Sequence, residues 1–420
     1  MTQERILVIS HGHPDVSKGG AEMAAHHLFR EFRKQGLDAL FLGRTGDASH
    51  GGSAFSARNG DHDLLFHTSM GDFFSFRCQD TARVWRDFRG LLERFKPDVV
   101  HFHHYSHLGL EFIREARNTC PTSTIVLTLH EFLAICHHNG QMVKTGSKQL
   151  CHAANPSDCA RCFPEHSPAD FFLRERFIKS IFDDVDLFIA PSEFLAGRYR
   201  DWGLPPEKIV VLENGHLEVE RPPPRALGQE SGRGRFAFFG QVTPYKGLDI
   251  LLQAFALLPE DLQESVHLDI HGANLESQAP EFRERLASLA DSTHEVATFH
   301  GPYEPVDLWK LMAATDWVIV PSIWWENSPM VIQEAFNHGR PVICSDIGGM
   351  AEKVTNGVDG VHFRARNAQS LCDTIARLVA DSSVWDTLSA GITAAPSVAQ
   401  IAQSHLDLYE EHGRDVPAPD

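Results

Sequence analysis

The sequence predicts an α/β protein built as two domains with parallel sheets. Three observations carry the prediction. Short continuous apolar runs alternate with helical stretches, the pattern of βαβ units whose strands are covered on both faces. The alternation breaks near the middle of the chain at a proline- and glycine-rich stretch, and then restarts. A chain of 420 residues is long enough for two to three domains, each with its own core.

In the first half the strand-like runs are 6–9, 40–42, 99–102, 125–129 and 187–190, and a helical pattern follows Gly20 to about Lys34. Residues 46–80 are rich in Gly, Ser, His and Asp with weak periodicity, and read as loops with at most one short element. The first domain is placed at 1–215, with a cysteine-rich insert at 136–166. A linker at 216–235 carries three consecutive prolines and then a Gly/Ser/Arg run. The second domain is placed at 236–396. Its strands are 236–239, 267–270, 296–299, 318–320 and 342–344, with helices at 248–258 and 330–337. A last helix, 397–412, is expected to pack back on the first domain, and 413–420 to be a disordered tail. Ligands in open α/β sheets sit outside the carboxyl ends of strands, so two such domains facing each other make a cleft.

Composition narrows the function. Apolar residues at 42% and charged residues at 22% exclude a mainly disordered chain. The net charge of −18 argues against nucleic acid as a partner, because that needs a basic face. No stretch approaches the ~20 apolar residues of a membrane span. The start, MTQERILVIS, has no basic region followed by a long apolar one, so a cytoplasmic protein without a signal peptide is expected. Eight cysteines are too few for a disulfide scaffold of this length.

Several positions carry chemistry. Gly19 and Gly20 directly before a helix allow close backbone approach to an anion at a positive dipole end, a cradle for a diphosphate; a flexible loop has the same composition. After 236–239 come Gly240, Gln241 and, at a helix start, Lys246-Gly247. A lysine there reaches a diphosphate, although exposed lysines on first helical turns are common. Glu326 lies in the loop after 318–320 and Glu334 eight residues on in the next helix, a spacing that serves two polyol groups of one ligand. Ser328 is expected to cap that helix and Pro329 to take its first position, leaving the amides near Ser328–Met330 to face a phosphate. His130 follows a strand and reads equally as a buried, satisfied histidine. Asp61/Asp63 and Asp184/Asp186 match D-x-D, but their places in the pattern make them solvated acids.

In order along the chain stand Gly19-Gly20-Ala21-Glu22, His130-Glu131, Gly240…Lys246-Gly247, and Pro321-Ser322…Glu326-x7-Glu334-Ala335…Gly339-Arg340-Pro341-Val342…Gly348-Gly349…Glu352. This ordered set resembles glycosyltransferase family 4, retaining enzymes of the GT-B fold. The resemblance spans nearly the whole chain and is densest in the second domain. It implies a nucleotide-sugar donor, UDP- or GDP-linked, and a hydroxyl acceptor on a sugar, a lipid-linked sugar or a small molecule. It implies Lys246 on the donor diphosphate, Glu326 on the donor sugar and Glu334 on the ribose. His130 would lie at the transferred sugar, Gly20 beside the diphosphate or acceptor, and the amides near Ser328–Met330, in the turn that holds Pro329, on the diphosphate. It implies no cofactor for the chemistry, and a polysaccharide or glycoconjugate pathway. Three departures stand out, one of them in the Glu326 loop, which reads Glu-Asn-Ser-Pro where Glu-Gly-Phe-Gly is commoner and so touches sugar selection. Gln241 replaces the arginine usual at that position, so donor binding is weaker or another cation substitutes; Arg340, in the turn before a strand, is a poor substitute. Glu131 replaces the aspartate of the usual His-Asp pair.

Cys136, Cys151, Cys159 and Cys162 fall within 27 residues and include one C-x-x-C. Structural zinc is the first reading, with free thiols, a disulfide or an iron–sulfur cluster as alternatives. Residues 171–182 mix bulky apolar residues with Arg174, Arg176 and Lys179. They read as a helix packed on the sheet, or as a peripheral contact with anionic lipid at the inner face of the membrane. Two other functions fit the same scaffold: a sugar-nucleotide epimerase, and a metal-stabilised binding protein with a degenerate donor site.

Overall fold

The computed structural model describes residues 4–17, 19–47, 52–79, 81–227 and 232–413. The tail expected at 413–420 lies outside them from 414 onward, as do 228–231 of the expected linker. The chain divides into two compact units, 1–216 with 396–420, and 217–395.

The first unit contains β1 (Arg5–Ser10), β2 (Asp38–Thr45), β3 (Phe55–Ala57), β4 (Asp63–His67), β5 (Met70–Asp72), β6 (Arg77–Cys78), β7 (Val99–Phe102), β8 (Thr124–Thr128), β9 (Leu187–Ala190) and β10 (Ile209–Val211). Its main sheet runs β10-β9-β8-β7-β1-β2-β4-β3, all parallel except the β3/β4 pair. The central strands are buried almost end to end, which is why they read as unbroken apolar runs. Ile6, Val8, Phe29, Phe32, Phe41, Val126, Ile189 and Tyr409 share one core.

Residues 46–80 depart from the expected loops. β3 and β4 extend the main sheet and β5 pairs with β6. Strands of two to five residues are too short to show a period, and β4 joins the sheet through β2, outside the segment. Of the D-x-D acids only Asp61 is exposed as expected; the other three are paired. Asp63 is buried at the start of β4 and accepts from Nε2 of His13 at 2.9 Å and of His26 at 3.1 Å. Asp184 pairs with Arg114 at 2.9 Å, and Asp186 with Arg117.

The second unit contains β11 (Arg235–Gln241), β12 (His267–Ala273), β13 (Ala297–Gly301), β14 (Trp317–Val320), β15 (Val342–Ser345) and β16 (Gly360–Phe363), in the all-parallel order β13-β12-β11-β14-β15-β16. Phe236, Leu251, Leu252, Phe255, Trp317, Ile343 and Trp385 anchor a core on one face of the sheet. The proline-rich stretch is tied down on this unit. Arg225 and Arg233 reach the fully buried Asp316 at 2.7 and 3.2 Å, and Arg221 donates to the Ser389 carbonyl at 2.8 Å.

The helix Val398–Glu411 belongs to the first unit. It opens with a Ser397/Gln400 capping box, and the hydroxyl of Tyr409 lies 2.7 Å from Nδ1 of His101, both buried. Among the described residues no helix is long and apolar enough to cross a membrane.

Candidate active site

In the second unit β11 and β14 are neighbours from which the chain departs toward opposite edges of the sheet. That reversal of strand order is where open α/β sheets bind ligands. The loops after these two strands meet there. The Ile323 N–H donates to the Tyr245 carbonyl at 2.9 Å. Gly247, at φ 71°, passes the Pro321 carbonyl so closely that a Cβ would stand 2.0 Å from its oxygen.

This approach sets Nζ of Lys246 2.6 Å from Oε1 of Glu326. The same oxygen accepts from the Ser322 hydroxyl at 2.7 Å and from the Trp324 indole N–H at 2.9 Å. Burial works to raise the Glu326 carboxyl. The Lys246 ammonium, with the bonds from Ser322 and Trp324, outweighs it and holds the group below its ordinary range. Glu326 is therefore an oriented anion beside a cation.

The next helix, Met330–Asn337, corrects the expected cap. It begins at Met330 with Pro329 as the capping residue, no side chain caps it, and the Ser328 hydroxyl is buried without a hydrogen-bond partner. Ser328 stands one position too early to cap. The N–H groups of the first turn are thus left uncapped by a side chain, as an anion site requires. Glu334 lies in this helix, and burial pushes its carboxyl up to about 7. Gln241 is exposed at the end of β11. Arg340 does not stand in for the missing arginine: it is 1% exposed, with Nε and Nη2 given to the carbonyls of Met312 and Pro223.

Gly348 and Gly349 close the Glu326 loop from behind. The Gly349 N–H donates to the Glu326 carbonyl at 2.8 Å, and a Cβ on Gly349 would stand 1.6 Å from the Asn327 carbonyl oxygen. Gly349→Ala must therefore displace the loop. The expected cost is about 1–3 kcal/mol of stability, measured by thermal midpoint.

In the first unit the reversal falls between β1 and β7. The loops after β1, β7 and β8 bring histidines together. The His11 and His104 rings lie 4.3 Å apart, Nδ1 of His103 is 3.3 Å from Nε2 of His130, and Nε2 of His104 is 3.2 Å from Oε1 of Glu131. Burial lowers His11 and His104 to about 3, and His103 and His130 well below the ordinary value. Burial raises Glu131 to about 8. The cluster is thus uncharged at neutral pH, a set of donors and acceptors suited to hydroxyl groups. Nδ1 of His11 and Nε2 of His103 are buried without a protein partner.

Gly19 caps the helix Gly20–Lys34, but the approach is shared. Glu22 folds back over the turn, so that a Cβ on Gly19 would stand 2.3 Å from its Oε2; Glu22 also accepts from Ser17 at 2.8 Å. His11, His103, His104 and Glu22 had no assigned role from sequence. The His-Phe-His-His run at 101–104, at the end of a strand, was the available signal.

Cys136, Cys151, Cys159 and Cys162 line one cavity together, all as free thiols. In the helix Pro168–Phe182, Phe171, Ile178, Ile181 and Phe182 are buried, while Phe172 and Leu173 are exposed at 51% and 62%. Arg174 is buried and donates to the carbonyls of Phe74, Ala134 and Leu133 at 2.6–2.7 Å.

Two family models match the chain: Glycosyltransferase Family 4 over residues 18–216, and Glycosyl transferases group 1 over 223–392. The chain is 29% identical over 219 residues to a lipopolysaccharide 1,2-N-acetylglucosaminetransferase of Salmonella typhimurium, covering 50% of this chain and 57% of that one. It is 24% identical over 366 residues to a D-inositol 3-phosphate glycosyltransferase of Thermobispora bispora, covering 81% and 77%. The fold matches sucrose-phosphate synthase from Thermosynechococcus elongatus with a TM-score of 0.73 at 18% identity, over 97% of this chain and 99% of that one. It also matches Anabaena HepE, solved with UDP and glucose, with a TM-score of 0.67 at 17% identity, over 97% and 100%. With both halves matched in order on two parallel-sheet domains, the chain belongs to glycosyltransferase family 4, the enzymes of the GT-B fold.

Proposed function

We propose that this glycosyltransferase moves a sugar from a UDP- or GDP-linked donor to a hydroxyl acceptor, with retention at the anomeric carbon, in polysaccharide or glycoconjugate assembly. The observation that carries the reading is the Lys246–Glu326 pair at the strand-order reversal of the second unit, beside an uncapped helix start. Lys246 and the amides at Met330 take the diphosphate, where charge builds as the leaving group departs. Glu326 takes the hydroxyls of the donor sugar. Glu334, half protonated near pH 7, both donates to and accepts from the ribose diol. The uncharged histidine cluster of the first unit, with His130, takes the acceptor side, and Gly19-Gly20 borders it. The departing phosphate receives the acceptor proton, so the step requires no cofactor; any metal the chain carries belongs to the cysteine-rich insert. Curated relatives named for glycosyl transfer, and the fold shared with a protein solved with UDP-glucose, support the reading. The chain works in the cytoplasm. Where the acceptor is lipid-linked, the exposed Phe172 and Leu173 rest on the inner face of the membrane.

A thermal-shift screen against UDP, GDP, ADP and TDP and their common sugar conjugates tests this. A ligand at 100 times its dissociation constant adds about 2.7 kcal/mol, a plain rise in midpoint. One base is expected to give that rise, and Lys246→Ala to lose it. A flat screen with a folded protein would overturn the donor assignment.

A further inference from the structure

We propose that Cys136, Cys151, Cys159 and Cys162 are the four ligands of a tetrahedral structural zinc ion, which holds the insert 136–166 in the first unit. The thiols come from three separate stretches: the turn that ends at Cys136, the chain just after the Val143–Leu150 bridge, and the helix Pro156–Cys162. They nevertheless line one cavity of about 30 Å³, room for a single ion. Cys136 lies within electrostatic reach of Cys151 and Cys159, and Cys159 of Cys151 and Cys162.

The surroundings fit the ion. Four thiolates around Zn²⁺ carry a net charge of −2, and the Arg174 guanidinium, Lys144 and Arg198 lie near enough to act on these sulfurs. Backbone hydrogen bonds at His138 and Met142 are directed at Cys136, the kind of second shell that steadies a metal thiolate. The turn that makes this possible is tight: Asn139, Gly140 and Met142 all have positive φ. The helix Pro156–Cys162, which carries two of the four thiols, buries none of its residues, so an ion would add order there.

Among the described residues no three of the four sulfurs lie within 4.8 Å of one another. Among the described residues, the group with three donor atoms within 4.8 Å of one another is His13, His26 and Asp63. That group is already joined by direct hydrogen bonds, with Asn59 adding a further one to Asp63. Closing four sulfurs on one ion requires cysteine side chains here to move from one staggered χ1 well to another. Zn²⁺ then replaces the four thiol protons, which pass to solvent. All-sulfur tetrahedral sites select zinc or iron–sulfur clusters, and a cavity for one ion favours zinc. The ion would matter to the site, because Cys136 lies five residues after Glu131 and the intervening carbonyls of Leu133 and Ala134 are clamped by Arg174.

Elemental analysis of the full chain, purified without chelator, tests the site. The expected content is one zinc per chain, lost in Cys159→Ser with Cys162→Ser and retained in Cys372→Ser. Should the double variant fail to fold, Co²⁺ added to the chelator-stripped native chain must give the thiolate charge-transfer and d–d bands of a tetrahedral four-sulfur site. A folded chain with no zinc and no such bands, a disulfide within the cluster, or bound iron with sulfide would each overturn the proposal. Donor-induced thermal shifts read the second unit separately, so failure here leaves the donor assignment standing.

Discussion

Lys246→Ala is expected to lower sugar transfer by about 10²–10³-fold, the usual cost of removing one preorganised donor to a developing charge. The reason lies in how the cation is held. Nζ of Lys246 stands 2.6 Å from Glu326, and Glu326 is fixed in turn by Ser322 and Trp324. With Gln241 in place of a second cation and Arg340 committed to carbonyls, Lys246 is the cation of this loop pair proposed to meet the diphosphate. The substitution also leaves a buried carboxylate without its counter-ion. Breaking a buried pair costs about 3–5 kcal/mol; the Lys246 side chain is 29% exposed, so water relieves part of that and the loss falls below the range. Steady-state kinetics and a thermal midpoint separate the two effects. Lys246→Arg, which keeps the charge, should recover the midpoint more fully than the rate. A rate for Lys246→Ala within about tenfold of the native one, 1.4 kcal/mol of barrier, would remove Lys246 from the reaction.

The second large effect is loss of stability in mild acid. Burial lowers His11 and His104 to about 3, and His27, His137, His271 and His405 to about 4. His101, His103 and His130 are likewise lowered well below the ordinary value by burial. These rings stay neutral in the folded chain, whereas in the unfolded chain they protonate below about pH 6.5. Unfolding therefore takes up protons, and stability falls as the pH drops from about 6.5 toward the folded values near 3–4. Each net proton is worth about 1.4 kcal/mol per pH unit. Glu131 and Glu334 act the other way. Raised to about 8 and about 7, they stay protonated in the folded chain over a range where the unfolded carboxyls ionise, so their contribution grows as the pH falls toward about 4.5. Two carboxyls offset two of nine histidines, and the net uptake remains several protons. Thermal midpoints between pH 7.5 and 5 should drop steeply below about 6.5. A midpoint that holds level down to pH 5 would mean that these rings are not buried as described.

Much of this protein is written locally. The apolar runs that became β1, β7, β8, β9, β11 and β14 announce themselves because both faces of a central parallel strand are covered, so the run is largely unbroken. The positions of Lys246, Glu326, Glu334 and the four cysteines relative to strand and helix ends are likewise properties of short windows. The sequence by itself determined the two-domain α/β class, the order of the motifs and the residue types available for the chemistry.

Tertiary structure decided the rest. Lys246 and Glu326 are 80 residues apart, and their 2.6 Å contact exists because β11 and β14 lie side by side. The histidine cluster needs three loops from β1, β7 and β8. The burial that turns its rings and Glu131 into neutral partners is a property of the packed unit and of no single segment. Asp63 reads as a solvated acid until β4 is set beside β2, within reach of His13 and His26. Periodicity and capping act within one or two turns of chain, whereas parallel pairing, burial and the pKa shifts that follow depend on neighbours distant in sequence.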